Sequence, residues 1–228
     1  MELNERMAAA MREVTDEFDL VIINRPDELD DALRLRYQVY CLERGFEPAE
    51  GGREIDGFDV FARHAILRNR VSHQAVGTVR LVVPALGGAS AQMPIDQICG
   101  TSLLRNLPRK FTGEISRFSL SKRYRGESGI YNPLLRLFLM RGVVALSKEL
   151  GLTHWCALME PCLLRLLRTS SIHFRSIGAP VDHHGLRQPS YAVIENVLAQ
   201  LALEQPSIWD FVTEGGSIWQ KPQLALTA

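Results

Sequence analysis

Residues 132–150 constrain the fold of this chain more than any other segment. Their apolar residues surround nearly the whole circumference of a helix, and Gly151 follows as a typical C-terminal stop. A helix that is apolar all round must be covered on every side, so it has to be central. Apolar segments typical of strands precede and follow it, at residues 111–120 and 153–159. We therefore predict an α/β protein with one dominant buried helix.

The other segments extend this pattern to a mixed, twisted sheet flanked by helices. With 228 residues, we predict a single domain over residues 1–228. Periodicity and turn residues predict an N-terminal helix at 1–17, a strand at 18–24, a helix at 26–43, a hairpin of strands at 62–67 and 75–83, a helix at 160–167, a strand at 172–177, a polar loop at 183–189, a last helix at 190–205, and a C-terminal extension at 205–228.

Charge and hydropathy argue against several classes of protein. Lys plus Arg and Asp plus Glu are both 26, so the formal net charge is zero, unlike that of most nucleic-acid-binding proteins. No apolar run approaches the ~20 residues of a transmembrane helix, and the charged N-terminus is not typical of a secretory signal. The four cysteines lack metal-site spacing, and we expect no metal. Scattered thiols favour a cytoplasmic location.

Residues 113–118 place a carboxylate and a guanidinium within a predicted buried strand. Such charges are costly in an apolar environment unless they are paired or used. Glu114 and Arg117 are three residues apart, so an unbroken strand would send them to opposite faces. If both face one cleft, the strand must be bulged, and we predict a bulge within residues 113–118.

Two further arginines and an acidic loop are candidates for the same cleft. Arg80 interrupts an apolar strand, and Arg36 precedes Tyr40 by one helical turn; either arginine could instead be solvated. Residues 45–60 form a Gly-rich loop that contains Asp56 and Asp59. Loops of this length are uncommon in compact domains unless they are functional, although both aspartates also suit simple turn chemistry.

A basic turn separates the charged strand from the central helix. It contains Arg123, Arg125, Gly126 and Ser128. Backbone N–H groups, a helix N-terminus and arginines together suit a phosphate, although a solvated turn would have the same composition.

These residues together resemble the acyl-homoserine-lactone (autoinducer) synthases, a branch of the GNAT-fold acyltransferases. The family usually has Phe where Tyr40 stands and Trp where Phe46 stands; both positions would belong to the donor/acceptor pocket. The second half, at residues 154–161, 177–178 and 184–189, is similar to the long-chain N-acyl amino acid synthases, most closely to the acyltransferases associated with PEP-CTERM/exosortase systems. The likeness covers residues 30–212. Its signature positions would be Arg36, Asp56, Asp59, Arg80, Glu114 and Arg117.

The resemblance implies a GNAT-fold enzyme with an acyl carrier protein thioester, or acyl-CoA, as donor and no bound cofactor. The expected reaction is transfer of a long-chain acyl group to the amine of an amino acid. One alternative is an acyl-homoserine-lactone synthase that uses S-adenosylmethionine. Another is a non-catalytic GNAT-like module that binds an acyl group or its carrier. The expected partners are therefore acyl carrier protein and a small amine.

The resemblance also implies roles for the signature residues. Glu114 is the candidate general base, because an ammonium group must lose a proton before it can attack. Arg117 would hold that carboxylate or, like Arg36 and Arg80, bind the acceptor's carboxylate. Asp56 and Asp59 would order the loop by pairing with those arginines. Arg123, Arg125, Gly126 and Ser128 would meet the phosphate of a carrier-bound phosphopantetheine. Backbone N–H groups would stabilise the oxyanion, and the central helix would either wall an acyl tunnel or simply be core.

Overall fold

The computed structural model describes residues 2–48, 51–88, 91–124 and 131–221, without the side chains of residues 2–4 and 131–132. The helices are α1 (Glu2–Glu17), α2 (Pro26–Arg36), α3 (Pro84–Gly87), α4 (Pro94–Cys99), α5 (Tyr131–Glu149), α6 (Pro161–Thr169), α7 (Ile194–Glu204) and α8 (Pro206–Thr213). The strands are β1 (Phe18–Ile22), β2 (Ala62–Asn69), β3 (Ala75–Val82), β4 (Thr112–Leu120), β5 (His154–Met159), β6 (Arg175–Ser176), β7 (Val181–Asp182) and β8 (Leu186–Val193).

The eight strands form one mixed sheet. Its order is β1-β2-β3-β4-β5-β8-β6, and β7 pairs with β8 outside this path. Every pairing is antiparallel except that of β4 with β5, which is parallel. The connection between these two strands passes through α5, as a parallel pair requires. The predicted mixed α/β architecture is confirmed.

The central helix α5 is buried, as its composition predicts. It lies across β1 to β4, with α1 and α8 beside it, and its apolar side chains join the main core. Gly142 allows this close approach, because a Cβ atom there would lie 3.0 Å from the Cβ of Ala65 on β2. The opposite face of β2 carries Ile66, which packs with Ala32 of α2. The sheet is therefore covered by helices on both faces.

The structure differs from the sequence prediction in several places. The predicted loop and helix at residues 183–205 instead form a strand and a shorter helix: β8 lies between β5 and β6, and α7 begins only at Ile194. The strand predicted at 172–177 is reduced to β6. The predicted second helix ends its α-helical part at Arg36 and continues as a π-helical segment, Tyr37–Glu43. None of the helices in the described ranges is long and apolar enough to cross a membrane.

Candidate active site

The central strands β4 and β5 separate in the middle of the sheet. They pair only at Thr112 with His154, Gly113 with Trp155 and Glu114 with Cys156. Beyond these pairs β4 continues beside β3 alone, and β5 continues beside β8 alone. A cavity of about 470 Å³ opens at this separation, lined by residues 114–120 and 157–160 among others. Its volume lies within the usual range for small-molecule sites.

Glu114 lies at the point where the two strands part. Its carboxyl group is 2% exposed, lines the cavity, and accepts a hydrogen bond of 2.8 Å from the backbone N–H of Ile95. Burial raises the pKa of Glu114 to about 8, although the bond from Ile95 and the positive charge of Arg80 act in the opposite direction. At neutral pH this carboxyl group is therefore mostly protonated.

The α4 segment that carries Ile95 is fixed by an ion pair between a buried carboxylate and a partly exposed arginine. Asp96 accepts hydrogen bonds from the backbone N–H of Met93, at 2.8 Å, and from two nitrogens of Arg109. The Asp96 side chain is fully buried, so this pairing provides the compensation that a buried carboxylate needs. It holds the backbone donor of Glu114 in place.

The predicted bulge is confirmed, and it lies at Arg117. On β3 Thr78 pairs with Ser119 and Arg80 with Ser116, so β4 has one residue more than its partner between these pairs. Arg117 takes up the irregularity with a φ of 50°, in the left-handed region. The bulge breaks the alternation of the strand, and Arg117 and Glu114 both line the cavity.

Three arginines and three carboxylates form a buried ionic cluster behind the bulge. Arg117 binds Glu54 through two hydrogen bonds of 3.0 and 2.8 Å and Asp56 through one of 3.1 Å. Arg36 binds Glu54 and, through two nitrogens, Asp59. Arg80 binds Asp56, Asp59 and the hydroxyl group of Ser116. The predicted pairing of Asp56 and Asp59 with Arg36 and Arg80 is thus present. We call Arg36, Glu54, Asp56, Asp59, Arg80 and Arg117 the ionic cluster.

The positive and negative charges of the ionic cluster are equal in number. Burial alone would raise the pKa of Glu54, but the hydrogen bonds from Arg117 and Arg36 lower it to about 2. The pKa of Asp59 is also well below its usual value, because Arg36 and Arg80 outweigh its burial. His64 faces Arg80 across β2 and β3, and burial lowers its pKa to about 4, so its ring is neutral. The cluster therefore carries no net charge.

This geometry divides the predicted substrate-binding residues into two groups. Tyr40 and Phe46 line the cavity together with Glu114 and Arg117. In contrast, Arg36 and Arg80 are fully buried, and neither they nor Asp56 and Asp59 are part of the cavity wall that the described residues form. Contact of Arg36 or Arg80 with an acceptor would require their ion pairs to open. In this structure the buried members of the ionic cluster hold Ser116 and Arg117, which line the cavity, in place.

The π-helical segment Tyr37–Glu43 brings Tyr40 and Phe46 to the cavity. Single π turns in helices are frequent at functional sites, because the wider turn redirects the side chains that follow. The guanidinium of Arg117 lies 5.2 Å from the centre of the Tyr40 ring, and Phe46 donates its backbone N–H to the carbonyl of Tyr40 at 2.8 Å. Tyr40 thus contacts the bulged strand directly, and Phe46 is held beside Tyr40.

One part of the cavity wall is polar and rests on Glu160, directly after β5. Its Oε1 atom accepts hydrogen bonds from Arg44, at 3.1 Å, and lies 3.0 Å from Nη1 of Arg187. The ring of Phe46 stacks on His184, with centroids 4.9 Å apart, and both guanidinium groups lie within 6 Å of its centre. We call Arg44, Glu160 and Arg187 the polar triad.

Another part of the cavity wall is apolar. It combines Met140 of α5, three leucines of α6 and Phe174, which stacks on the buried Trp155 at 6.1 Å. The leucines are Leu163, Leu166 and Leu167. The wall comes mainly from α6, and the central helix α5 contributes only Arg136 and Met140 among the residues described there. The helix is therefore mostly core.

The predicted phosphate turn lies largely outside the described residues. Arg123 is described, and it is exposed beside Tyr124, with its guanidinium 5.7 Å from the ring centre. Arg125, Gly126 and Ser128 fall in the range that the structure does not describe.

Sequence reasoning missed Glu54 and the polar triad. Glu54 is buried and joins Arg36 to Arg117, although these partners are 18 and 63 residues away along the chain. A carboxylate beside a Gly-Gly pair has no periodicity that would assign it to a core. Arg187 belongs to the stretch at 184–189 that carries the family resemblance. The sequence predicts a loop there, whereas Arg187 lies on β8, which fixes its side chain at the cavity.

Comparisons with known proteins agree with this architecture. Residues 35–132 match the model of the acetyltransferase (GNAT) domain. The AHL synthase LasI is 15% identical with a TM-score of 0.63, over 82% of this chain and 93% of that one. FeeM, an N-acyl amino acid synthase from uncultured soil microbes, is 18% identical with a TM-score of 0.60, over 82% and 97%. BjaI, a CoA-dependent acyl-homoserine lactone synthase solved with SAM and isopentyl-CoA, is 19% identical with a TM-score of 0.62, over 90% and 92%.

These similarities confirm the predicted GNAT fold. At 15 to 19% identity the solved structures show the fold alone, and together with the domain match they support the prediction of an acyltransferase.

Proposed function

We propose that this chain is a single acyltransferase domain that moves a long-chain acyl group from a carrier thioester to the amine of an amino acid. The observation that carries the proposal is the buried carboxyl group of Glu114, at the point where β4 and β5 part and a cavity opens. The cavity has a polar wall for an acceptor and an apolar wall for an acyl chain.

The pKa of Glu114 suits it for the role of general base. The α-amino group of a peptide has a pKa of about 8, and that of a free amino acid is higher, so a carboxylate of ordinary pKa would be too weak a base by about four units or more. Burial raises the pKa of Glu114 to about 8, which brings proton transfer from an ammonium group much closer to balance in free energy.

The proposed reaction needs no covalent enzyme intermediate. Glu114 takes one proton from the ammonium group of the acceptor, directly or through water. The neutral nitrogen attacks the thioester carbonyl carbon, a C–N bond forms, and the C–S bond breaks. The second proton of the nitrogen ends on the departing thiolate, while Glu114 returns its proton to water. The products are an amide and the free thiol of the carrier.

The separation of the strands also provides donors for the oxyanion. Beyond Glu114, the edge of β4 that faces β5 has no strand partner among the described residues, so its backbone N–H groups are available at the cavity. Preorganised donors of this kind stabilise the charge that develops on the thioester oxygen. The leucines of α6, with Met140 and Phe174, would hold the acyl chain away from water.

The donor we propose is acyl carrier protein, with acyl-CoA as the second choice. The basic turn at residues 121–129 lies between β4 and α5 and would meet the phosphodiester of phosphopantetheine or the acidic surface of the carrier. Arg123 is exposed there and free to contact a macromolecular partner.

The test is a product screen. Purified protein is incubated with long-chain acyl carrier protein or acyl-CoA, a pool of the common amino acids, and S-adenosylmethionine, and the products are identified by mass spectrometry. We expect an N-acyl amino acid from wild type and at least a hundredfold less from the Glu114→Gln variant, with donor binding retained. A lactone product would move the chain to the acyl-homoserine-lactone synthases. No product across several chain lengths would leave a non-catalytic binding module.

A further inference from the structure

The charges of the site are unequally distributed between its two halves. In the ionic cluster three guanidinium groups face three carboxylates, and all are buried or nearly so. In the polar triad two guanidinium groups share a single oxygen of one carboxylate. The cluster is thus neutral, whereas the triad has one positive charge in excess.

Glu160 cannot balance the polar triad by itself. Burial would raise its pKa, but the hydrogen bond from Cys162 and the charges of Arg187 and Arg44 lower the pKa below its usual value, so Glu160 is ionised. Its second oxygen, Oε2, lies 3.3 Å from the sulfur of Cys162. Glu47 is another carboxylate on the cavity wall, and its ion-pair contact, at 3.4 Å, is with His184.

The arginines of the polar triad retain unused donors at the cavity. The side chain of Arg187 is 12% exposed; its Nη1 pairs with Glu160, and its Nη2 donates to the carbonyl oxygen of His184. The side chain of Arg44 is 35% exposed, and only its Nη1 donates to Glu160. The remaining guanidinium N–H groups of both residues have no hydrogen-bond partner among the described residues. Paired N–H groups of arginine match the two oxygens of a carboxylate.

We propose that Arg44 and Arg187 bind the α-carboxylate of the acceptor, and that the excess charge of the polar triad selects amino acids over simple amines. The inference rests on the proposed acyl transfer. Both arginines and Glu114 line one cavity, together with Tyr40 and Phe46. An amino acid held by its carboxylate at the triad would present its ammonium group within the same cavity as the base. The sequence predicts that Arg36 and Arg80 bind this carboxylate, and we assign that role to Arg44 and Arg187 instead.

The test compares acceptors that differ only in the carboxylate. Tyrosine and tyramine, leucine and 3-methylbutylamine, serine and ethanolamine, and glycine and methylamine are each offered to wild type and to the Arg187→Gln and Arg44→Gln variants with saturating long-chain acyl carrier protein. The control is Arg165→Gln, which removes a guanidinium from the exposed side of α6, outside the cavity wall. Far-ultraviolet circular dichroism and melting curves check that each variant is folded.

We expect the Arg187→Gln variant to raise KM for the amino acids by about 10- to 100-fold, the range for a charge-assisted hydrogen bond, with little change in kcat. KM for the matching amines should not change, so discrimination between the two acceptors of a pair should disappear. Arg187→Lys should restore part of it, and Arg165→Gln should behave as wild type.

Two results would separate the failure of this inference from that of the proposed function. Equal losses for both acceptors of a pair, or no loss for either, would overturn the carboxylate site while acyl transfer stands. If Arg187→Gln fails to fold, the more exposed Arg44→Gln decides by the same criterion. Absence of any amide product from wild type would overturn the proposed function, and this inference with it.

Discussion

Replacement of Glu114 by glutamine should stabilise the protein at alkaline pH while it removes the proposed base. Burial moves the pKa of this carboxyl group from 4.5 to about 8. Since one pKa unit corresponds to about 1.4 kcal/mol, the ionised group lowers the free energy of unfolding by about 5 kcal/mol above pH 8 and by about 3 kcal/mol at pH 7. Glutamine does not ionise in this pH range, and its side-chain oxygen can still accept the hydrogen bond from the backbone N–H of Ile95.

The sign of the effect follows from where the proton is bound. Below pH 4.5 the carboxyl group is protonated in both the folded and the unfolded state, so pH has little effect on this contribution. Between pH 4.5 and 8 the unfolded chain releases the proton and the folded protein retains it, so the stability of wild type falls as pH rises. The stability difference, variant minus wild type, should therefore increase over this window and become constant above it.

Urea unfolding at pH 5, 6, 7, 8 and 9 measures this difference directly. The ionic cluster titrates alike in both proteins, so its contribution cancels. Glu195→Gln is the matched control, because this glutamate is exposed on α7, and its difference from wild type should be small and independent of pH. A stability difference for Glu114→Gln that is constant or falls with pH would show that the folded protein holds Glu114 ionised, and would refute the argument for a matched base.

Three further predictions concern the groups around Glu114. In wild type, kcat/KM for product formation should rise with pH to a plateau above about 8, since only the carboxylate form is a base; a flat profile between pH 6 and 9 would contradict this. Asp59→Asn should lower the free energy of unfolding in urea by about 3–5 kcal/mol, because two buried guanidinium groups lose a shared carboxylate; a loss below about 1 kcal/mol would refute it. Arg109→Gln should leave the buried Asp96 unpaired near Glu114, raise the pKa of Glu114 further and move the rate profile to higher pH, whereas an unmoved profile would exclude this coupling.

Much of the fold could be predicted from the sequence because local signals agree with it. The all-apolar segment of α5, the hairpin of β2 and β3, and the apolar runs of β1 and β5 each have a pattern that few other structures accommodate. The bulge in β4 could be predicted for a different reason. Glu114 and Arg117 are at odd spacing, so on a regular strand they would face opposite sides, and one buried charge would be left unpaired.

The end of the chain could not be predicted by the same reasoning. The strand β8 lies between two neighbours, so it lacks the alternation of a half-buried strand, and Pro189 within it argues against a central position. The residues that follow have helical spacing, which predicts a helix from residue 190 onward, but Tyr191 and Val193 belong to the strand. Pairing with β5 over six residues decided in favour of the strand.

In the site, the contacts of the charged residues could not be predicted from the sequence. Arg36 and Arg80 are predicted to bind substrate or to be solvated, whereas the structure buries both, and their partners depend on which loop carboxylates the tertiary fold brings to them. Glu54 shows this limit, because it is separated from Arg117 by 63 residues and by a Gly-rich loop whose course has no period. The π-helical segment is a similar case, since one extra residue per turn leaves no pattern in composition.

The three residue pairs that join β4 to β5 are a point about which the two halves of the sheet can rotate. All strand pairing between the half with β1 to β4 and the half with β5 to β8 passes through these pairs, and the last of them contains Glu114. Leu120 lies about 20 Å along β4 from that point, at roughly 3.3 Å per residue. A rotation of roughly 5° about the pairs would widen the far end by about 2 Å and leave the carboxyl group where it is. A change in the room for an acyl tail therefore moves the far end of β4 more than it moves Glu114.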